Sequence, residues 1–350
     1  MGSCLLCTGG DPHGRLADRH GREKYAGELG RCRCLPAARD EPIIAAKPLA
    51  RRAGTKTVQV RASQRAFMNI TPFQALACPL DGAPLQCNGF TWRCAAGHSF
   101  DVSSQGYTHL LPVQHKNSRD PGDNKEMVAA RRRFLDGGFY QTIAAAVSQA
   151  ALADLPPLAT ADCLDAGCGE GYYLRQLAAA TREGQTLALL GLDISKWAIL
   201  SAAKQHRQPN WVVGSNANLP VQSATLDRVL CIFGFPVPAE FARVLKPGGQ
   251  LLLVDAGPDH LRELREIIYP SLKPARTADP PEAEGFSHLC TETVRYSLNL
   301  SGTEIIADLL AMTPHLYRAS TKRRAQAAKL ENLSVTVDAR LARFQRDAIR

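Results

Sequence analysis

Residues 162–173 read DCLDAGCGEGYY and join a short apolar run, a glycine-rich turn and the start of a helix-like stretch. The three glycines allow the chain to turn tightly and bring backbone N–H groups close to a ligand. A second apolar run, LALLGLD (187–193), ends on Asp193, 24 residues after Gly169. A carboxylate there is suited to accept both ribose hydroxyls of an adenosine. The stretch therefore predicts a nucleoside-binding turn between a strand and a helix.

Short apolar runs continue downstream, and helix-like segments separate most of them. In chain order the runs are DCLDA (162–166), LALLGLD (187–193), WVVG (211–214), LDRVLCIF (226–233) and QLLLVDA (250–256). This alternation predicts an α/β fold with a doubly wound parallel sheet and helices on both faces. Ahead of the sheet, helices are predicted from about Lys125 and over residues 141–153.

Glycine spacing distinguishes two kinds of nucleotide site. The dinucleotide fingerprint is G-x-G-x-x-G, whereas this chain has D-x-G-x-G-x-G from Asp165, which resembles motif I of the class I (Rossmann-like) methyltransferases. The acids Asp165 and Glu170 disfavour a pyrophosphate and suit S-adenosylmethionine, with its cationic sulfonium and ammonium groups. The residues expected to bind this methyl donor in and beyond the turn are Asp165, Gly167, Gly169, Glu170, Gly171 and Asp193.

The composition, 45% hydrophobic and 21% charged over 350 residues, is ordinary for a globular protein. Residues 1–67 carry seven of the nine net positive charges and show no sustained periodicity. We expect this segment to be a disordered extension, or upstream sequence that is not normally translated, with Met68 as the natural start.

No run reaches the roughly 18–20 apolar residues that a membrane span needs, so a soluble, cytoplasmic protein without a membrane partner is expected.

The eleven cysteines do not indicate a disulfide framework, because the N-terminus lacks the apolar run of a signal peptide. Cys163, Cys168 and Cys231 lie in predicted core strands or in the glycine-rich turn. In a reducing compartment such thiols behave as small buried hydrophobic groups. We therefore expect free cysteines.

Four segments together resemble the 23S rRNA guanine-N1-methyltransferases far more specifically than motif I alone. They are GYTHLLPVQHKNSRDPGDNKEMVAARRRFLDGGFYQ (106–141), DAGCGEGYY (165–173), GPDHLRELREIIYP (257–270) and LLAMTPHLYRA (309–319). The resemblance implies methyl transfer from S-adenosylmethionine to N1 of a guanine in a 23S rRNA hairpin loop, with similarity to the branch that modifies the guanine-745-type position. It also implies a homodimer.

The same resemblance implies a domain order. Residues 1–67 form the extension, 68–112 a small zinc-ribbon-like RNA-recognition module, 113–153 a linker with helices, and 154–350 the methyltransferase domain. Carried over by position, the methyl-donor contacts of the family fall on Tyr140, Gly169, Glu170 and His260.

The metal site departs from the family pattern, which is C-x-x-C followed by C-x-x-x-H. Cys78, Cys94 and His98 match this pattern, but Asp81 stands at the second cysteine position. Zinc accepts carboxylate oxygen as well as thiolate and imidazole, so Asp81 is one candidate for the fourth ligand and Cys87 is the other. A third alternative is that zinc has been lost and that packing around Phe90, Trp92 and Phe100 holds the module.

The general base that removes the N1 proton is not identified by the sequence; the candidates are His115, Asp120, Asp123 and His260. Lys116, Arg119 and Arg131–Arg133 are candidate phosphate contacts, although three adjacent arginines also suit the solvated face of a helix.

Two other functions stay open. One is a methyltransferase for a small molecule, which would leave the Cys/His module unexplained, and the other is a non-catalytic RNA-binding relative.

Overall fold

A computed structural model describes residues 69–115, 118, 120–155, 160–272, 284–313 and 319–348, and His115 by its main chain alone. The predicted extension over residues 1–67, the start at Met68 and the candidate phosphate contacts Lys116 and Arg119 lie outside the described residues. Within the described part, no helix is both long and apolar enough to cross a bilayer.

Nine strands of the described chain form one sheet. Their bounds are β1 Ile70–Thr71, β5 Tyr107–His109, β6 Thr160–Ala166, β7 Thr186–Asp193, β8 Asn210–Val213, β9 Leu226–Ile232, β10 Leu245–Ala256, β11 Phe286–Ser301 and β12 Asn332–Arg346. Across the sheet their order is β11-β12-β10-β9-β6-β7-β8-β5, and β1 pairs with β7. β12 runs antiparallel to β10 and β11, and the other pairings are parallel. The predicted α/β fold of class I methyltransferases is confirmed.

The helices of the described chain are α1 Lys125–Asp136, α2 Gln141–Leu152, α3 Tyr172–Ala180, α4 Lys196–Gln205, α5 Pro238–Val244, α6 Arg262–Ile268, α7 Thr303–Ala311 and α8 Thr321–Ala327. α1 begins at Lys125 as predicted, because Asn124 accepts a hydrogen bond from the Met127 N–H and caps the first turn. α3 begins at Tyr172, directly after the glycine-rich turn.

Two hydrophobic clusters cover the two faces of the sheet. One contains α2, α3 and α4 with side chains such as Leu174 and Ile199, and the other contains Leu164, Leu190 and Phe241. Each fully buried side chain of this size contributes about 1.5–3 kcal/mol relative to exposure. These clusters hold the carboxyl ends of β6, β7 and β9 in a fixed relation, and the candidate site lies at those ends.

A second sheet of three antiparallel strands, β2 Gln86–Asn88, β3 Thr91–Arg93 and β4 Ser99–Asp101, forms the small Cys/His module. A two-residue turn at Gly89-Phe90 joins β2 to β3. Trp92 is buried, but Phe90 is 81% exposed, so Phe90 does not belong to the packing that holds this module.

Two long strands at the carboxyl end of the chain were not predicted. β11 and β12 pair along almost their whole length and extend the sheet beyond β10. The cysteines meet the expectation in the described residues: all seven are free, and Cys163, Cys168 and Cys231 are buried.

Candidate active site

The glycine-rich turn links β6 to the carboxyl end of β7 through its backbone. The Gly167 and Cys168 N–H groups donate to Leu192 O at 2.8 and 2.9 Å, and the Gly169 N–H donates to Asp193 Oδ2 at 2.9 Å. The φ angles of the three glycines lie between 56° and 95°, a region that side-chain-bearing residues rarely adopt. The turn is therefore rigid and lies beside a carboxylate.

Asp193 is held by two backbone donors. Its Oδ2 accepts from Gly169 and its Oδ1 accepts from the Ser195 N–H at 2.7 Å. Burial raises the pKa of this carboxyl, and the two N–H groups act in the opposite direction. An ionised carboxylate has about four acceptor positions, so the two remaining ones suit a pair of ribose hydroxyls.

Asp165, at the carboxyl end of β6, is buried, and neither of its oxygens has a hydrogen-bond partner among the described residues. Burial, and next the charge of Asp193, raise its pKa to about 8. A buried acid without a partner needs either a proton or a cation. A cationic methyl donor fits this requirement, because its ammonium and sulfonium groups supply positive charge.

Glu170 has a different environment. Its carboxylate forms an ion pair with Arg175 Nη2 at 2.9 Å and accepts from Gln205 Nε2 at 2.7 Å. Burial raises its pKa, and Arg175 opposes this effect. The carboxylate thus joins α3 to α4. The Glu170 carbonyl accepts from Arg175 Nη1 at 2.6 Å, so both the carboxylate and the carbonyl of this residue bind the protein itself.

Tyr140 and His260 lie 120 residues apart in the chain and meet in the structure, with 3.2 Å between the tyrosine hydroxyl and Nε2. The Asp338 N–H donates to His260 Nδ1 at 3.2 Å. Because a backbone N–H is always a donor, Nδ1 carries no proton, and Nε2 carries it and donates to Tyr140. The tyrosine hydroxyl keeps its own proton for another acceptor, and burial raises its pKa.

The three adjacent arginines of α1 all have acidic partners. Arg131 pairs with Asp123 and donates to Met312 O at 3.0 Å. A Cβ atom placed on Gly169 would lie 3.8 Å from the Cδ atom of Arg131. This arginine therefore covers the glycine-rich turn. Arg132 pairs with Asp136 at 3.3 Å, and Arg133 donates to Asp308 at 2.9 Å.

The small module brings the side chains of Cys78, Asp81, Cys94 and His98 together, with their ligand atoms all within 4.8 Å of one another. The shortest separations are 3.0 Å between His98 Nδ1 and Asp81 Oδ2, and 3.4 Å from Cys94 Sγ to each of these atoms. A tetrahedral zinc ion with ordinary bond lengths needs ligand atoms about 3.3–3.8 Å apart. The two 3.4 Å separations fall in this range and the 3.0 Å separation is shorter than it, so the four donors lie close to the arrangement that zinc requires.

Asp81, and not Cys87, joins this metal cluster. Cys87 is exposed, and its thiol donates to Gly89 O at 3.5 Å. The Ala83 N–H donates to Asp81 Oδ1 at 2.9 Å and is the largest cause that lowers the pKa of this carboxyl to about 2. Asp81 is thus ionised and oriented as a metal ligand would be.

A loop that the sequence interpretation missed lies beside the carboxyl end of β6, next to the glycine-rich turn. Phe233 and Phe235 follow β9, and the Asn216 amide donates to Ala166 O at 3.4 Å and to Phe235 O at 3.1 Å. Two aromatic residues directly after a buried strand were the available signal, since ligands bind outside the carboxyl ends of such strands.

Comparisons with known proteins match both parts of the chain. The zinc-ribbon family model described as "RlmA, N-terminal" matches residues 76–119, and the model described as "Methyltransferase domain" matches residues 163–249. The chain thus combines a segment similar to the RlmA zinc ribbon with a segment similar to a methyltransferase domain.

Three relatives carry related names. A Micromonospora griseorubida protein named provisionally as a 23S rRNA (guanine-N1)-methyltransferase is 35% identical over 77% of this chain and 97% of its own length. The provisionally named YxjB of Bacillus subtilis is 31% identical over 76% of this chain and 95% of its own length. The 23S rRNA (guanine(748)-N1)-methyltransferase of Streptomyces fradiae is 36% identical over 55% of this chain and 67% of its own length. The chain belongs to the 23S rRNA (guanine-N1)-methyltransferase family.

Proposed function

We propose that this protein transfers the methyl group of S-adenosylmethionine to N1 of a guanine in a hairpin of 23S rRNA. The observation that carries the proposal is that one chain joins a donor site to a zinc-ribbon module. Two relatives named as 23S rRNA (guanine-N1)-methyltransferases match this chain over almost their whole length. A small-molecule methyltransferase would need the donor site but not this module.

In the proposed donor complex, Asp193 accepts the ribose hydroxyls and Asp165 faces the positive charge of the donor. The glycine-rich turn allows close approach of the backbone at Gly169 and Glu170. Tyr140 and His260 border the other side of the crevice. When bound, the donor supplies an electrophilic methyl on a sulfonium, and the protein has to align this methyl with the acceptor nitrogen.

The guanine N1 proton must leave during transfer. His260 is poorly placed to accept it, because Nδ1 already accepts from Asp338 and Nε2 carries a proton. Asp123 is paired with Arg131. These contacts argue against both as the general base, and His115 and Asp120 stay candidates.

We further propose that Cys78, Asp81, Cys94 and His98 hold a structural zinc ion and that the module around it grips the RNA hairpin. The division into segments 1–67, 68–112, 113–153 and 154–350, the homodimer and the cytoplasmic location stay parts of this proposal. Light scattering at several protein concentrations tests the homodimer, which predicts twice the chain mass of 37.9 kDa.

The testing experiment incubates the protein with labelled S-adenosylmethionine and unmodified 23S rRNA, and then maps the product by reverse transcription. A methyl group at N1 blocks the Watson–Crick edge, so the transcript should stop beside the modified base. A stop in one hairpin loop supports the proposal and distinguishes the predicted guanine-745-type position from the 748 position named for the Streptomyces fradiae relative. Donor binding without transfer to RNA would favour a small-molecule enzyme, and absence of donor binding would favour a non-catalytic relative.

A further inference from the structure

The loop that begins at Phe233 lies against the glycine-rich turn, which is called the donor turn below. It follows β9, whose neighbour β6 leads directly into the glycine-rich turn. A side chain at Gly234 would lie 3.0 Å from Cys231 Sγ and 3.4 Å from Ala166 O, so a glycine is needed for this close approach. The amide of Asn216 ties the loop to the end of β6. The side chains on either side of Gly234 are therefore held at the border of the crevice.

These side chains are exposed aromatic rings. Phe235 is 89% exposed and Phe233 is 38% exposed, and they are two of the five large hydrophobic side chains that are exposed in the described part of the chain. An exposed apolar surface beside a crevice often marks a binding site. Two such rings two positions apart in one loop favour a ligand with an apolar flat face.

The backbone of Phe233 is strained. Its φ is +51°, a left-handed value that bulky residues rarely adopt, and its N–H donates to Val254 O at 2.7 Å. This conformation brings its ring to 5.5 Å from the His260 ring and 6.1 Å from the Tyr140 ring, centroid to centroid. Such strain concentrates at functional sites. Phe233 thus continues the aromatic border that Tyr140 and His260 begin.

We infer that Phe233 and Phe235 form a stacking surface for the target guanine, an inference that rests on the proposed function. N1 lies on the edge that base pairing hides, so the base has to be extruded to meet the methyl group. An extruded base loses its stacking neighbours, and aromatic side chains replace them. The donor turn lies on one side of this surface, and the Tyr140 hydroxyl offers a proton to an acceptor near it.

The test uses the full chain with substitutions at Phe235. Because this side chain is 89% exposed, its replacement should leave the fold intact. Phe235→Ala removes the ring, Phe235→Leu keeps apolar area without a flat face, and Phe235→Trp keeps the flat face. Glu183→Ala is the control, because Glu183 is also exposed but lies in the turn before the amino end of β7, away from the small module and from the carboxyl ends of the strands. Single-turnover methyl transfer is measured at saturating hairpin, and donor affinity is measured by calorimetry.

Loss of one base-stacking contact corresponds to a rate loss of about 5- to 150-fold. We expect this loss for Phe235→Ala and Phe235→Leu. We expect a rate near that of the unmodified protein for Phe235→Trp and Glu183→Ala, and unchanged donor affinity for all four variants. Full activity of Phe235→Ala would overturn the inference, and full activity of Phe235→Leu would show that apolar area, not stacking, is what the site requires.

A second readout separates this inference from the proposed function. Hairpins with 2-aminopurine in place of each loop guanine in turn report on base stacking without methyl transfer. If the unmodified protein changes the emission at one position and Phe235→Ala does not, the stacking surface is supported even when no methyl is transferred. If neither protein changes the emission at any position, the stacking surface is refuted, whatever the result of the methylation assay.

Discussion

Replacement of Asp193 by asparagine tests the donor site with almost no change in shape. Both carboxylate oxygens accept a backbone N–H, from Gly169 and from Ser195. An asparagine has only one acceptor oxygen, so in either orientation its NH₂ group must face one of these two donors. The substitution therefore breaks one charge-assisted hydrogen bond and places the asparagine NH₂ group against a backbone N–H group, so that two donors face each other. It also halves the acceptors available to the ribose.

The magnitude follows from the bonds that are lost. A hydrogen bond to a charged group contributes about 1.5–3 kcal/mol, and each 1.36 kcal/mol is a factor of ten in affinity. We expect Asp193→Asn to weaken binding of S-adenosylmethionine by about 10- to 150-fold. We also expect a fall of about 1–3 kcal/mol in the free energy of unfolding, because one backbone N–H near the turn is left unsatisfied.

Isothermal titration calorimetry measures the donor affinity, and urea unfolding measures the stability. Asp162→Asn is the matched control: Asp162 also belongs to the central sheet, but it pairs with Lys246 at 3.5 Å and lies near the amino end of β6. The control should bind the donor as the unmodified protein does. Unchanged donor affinity in Asp193→Asn would refute the assignment of Asp193 to the donor site.

Three further predictions concern the metal, the pH dependence and the glycine-rich turn. Asp81→Ala should lower the bound zinc measured by elemental analysis while Cys87→Ser should not, and the opposite pattern would make Cys87 the fourth ligand. Burial raises the pKa of Asp165 to about 8, so between about pH 4 and pH 8 the folded state holds a proton that the unfolded state has lost. The stability of the donor-free protein should therefore fall as pH rises from about 4 to 8. Melting curves of Asp165→Asn should show a flatter pH dependence, and an unchanged slope would show that Asp165 is not its cause. Gly171→Ala and Gly138→Ala start from the same φ of 81°, but a methyl group at 171 would lie 2.5 Å from a buried indole and one at 138 would meet nothing. Gly171→Ala should therefore cost about 1–3 kcal/mol more in unfolding free energy, and equal costs would contradict this packing.

Local sequence was sufficient for most of the central fold. The strands β6 to β10 were predicted because each is a short apolar run buried on both faces, which is what a parallel sheet covered by helices requires. The start of α1 near Lys125 and that of α3 after the glycine-rich turn were also predicted, since the end of a polar segment and positive φ are properties of a few adjacent residues. The pair β11 and β12 was missed, although alternating residues such as those of SLNLS (297–301) carry the period of a half-buried strand.

The sequence by itself determined the fold class, the glycine-rich turn with Asp193, and the residue types of the Cys/Asp/His cluster, because these depend on spacing within a few tens of residues. Tertiary structure alone decided that Asp81 and not Cys87 meets Cys78, that the Glu170 carboxylate turns to Arg175, and that Tyr140 reaches His260 across 120 residues. It also decided that Phe233 and Phe235 border the donor turn. Such contacts depend on how separate elements pack against the sheet, and packing joins positions whose distance along the chain carries no signal of their distance in space.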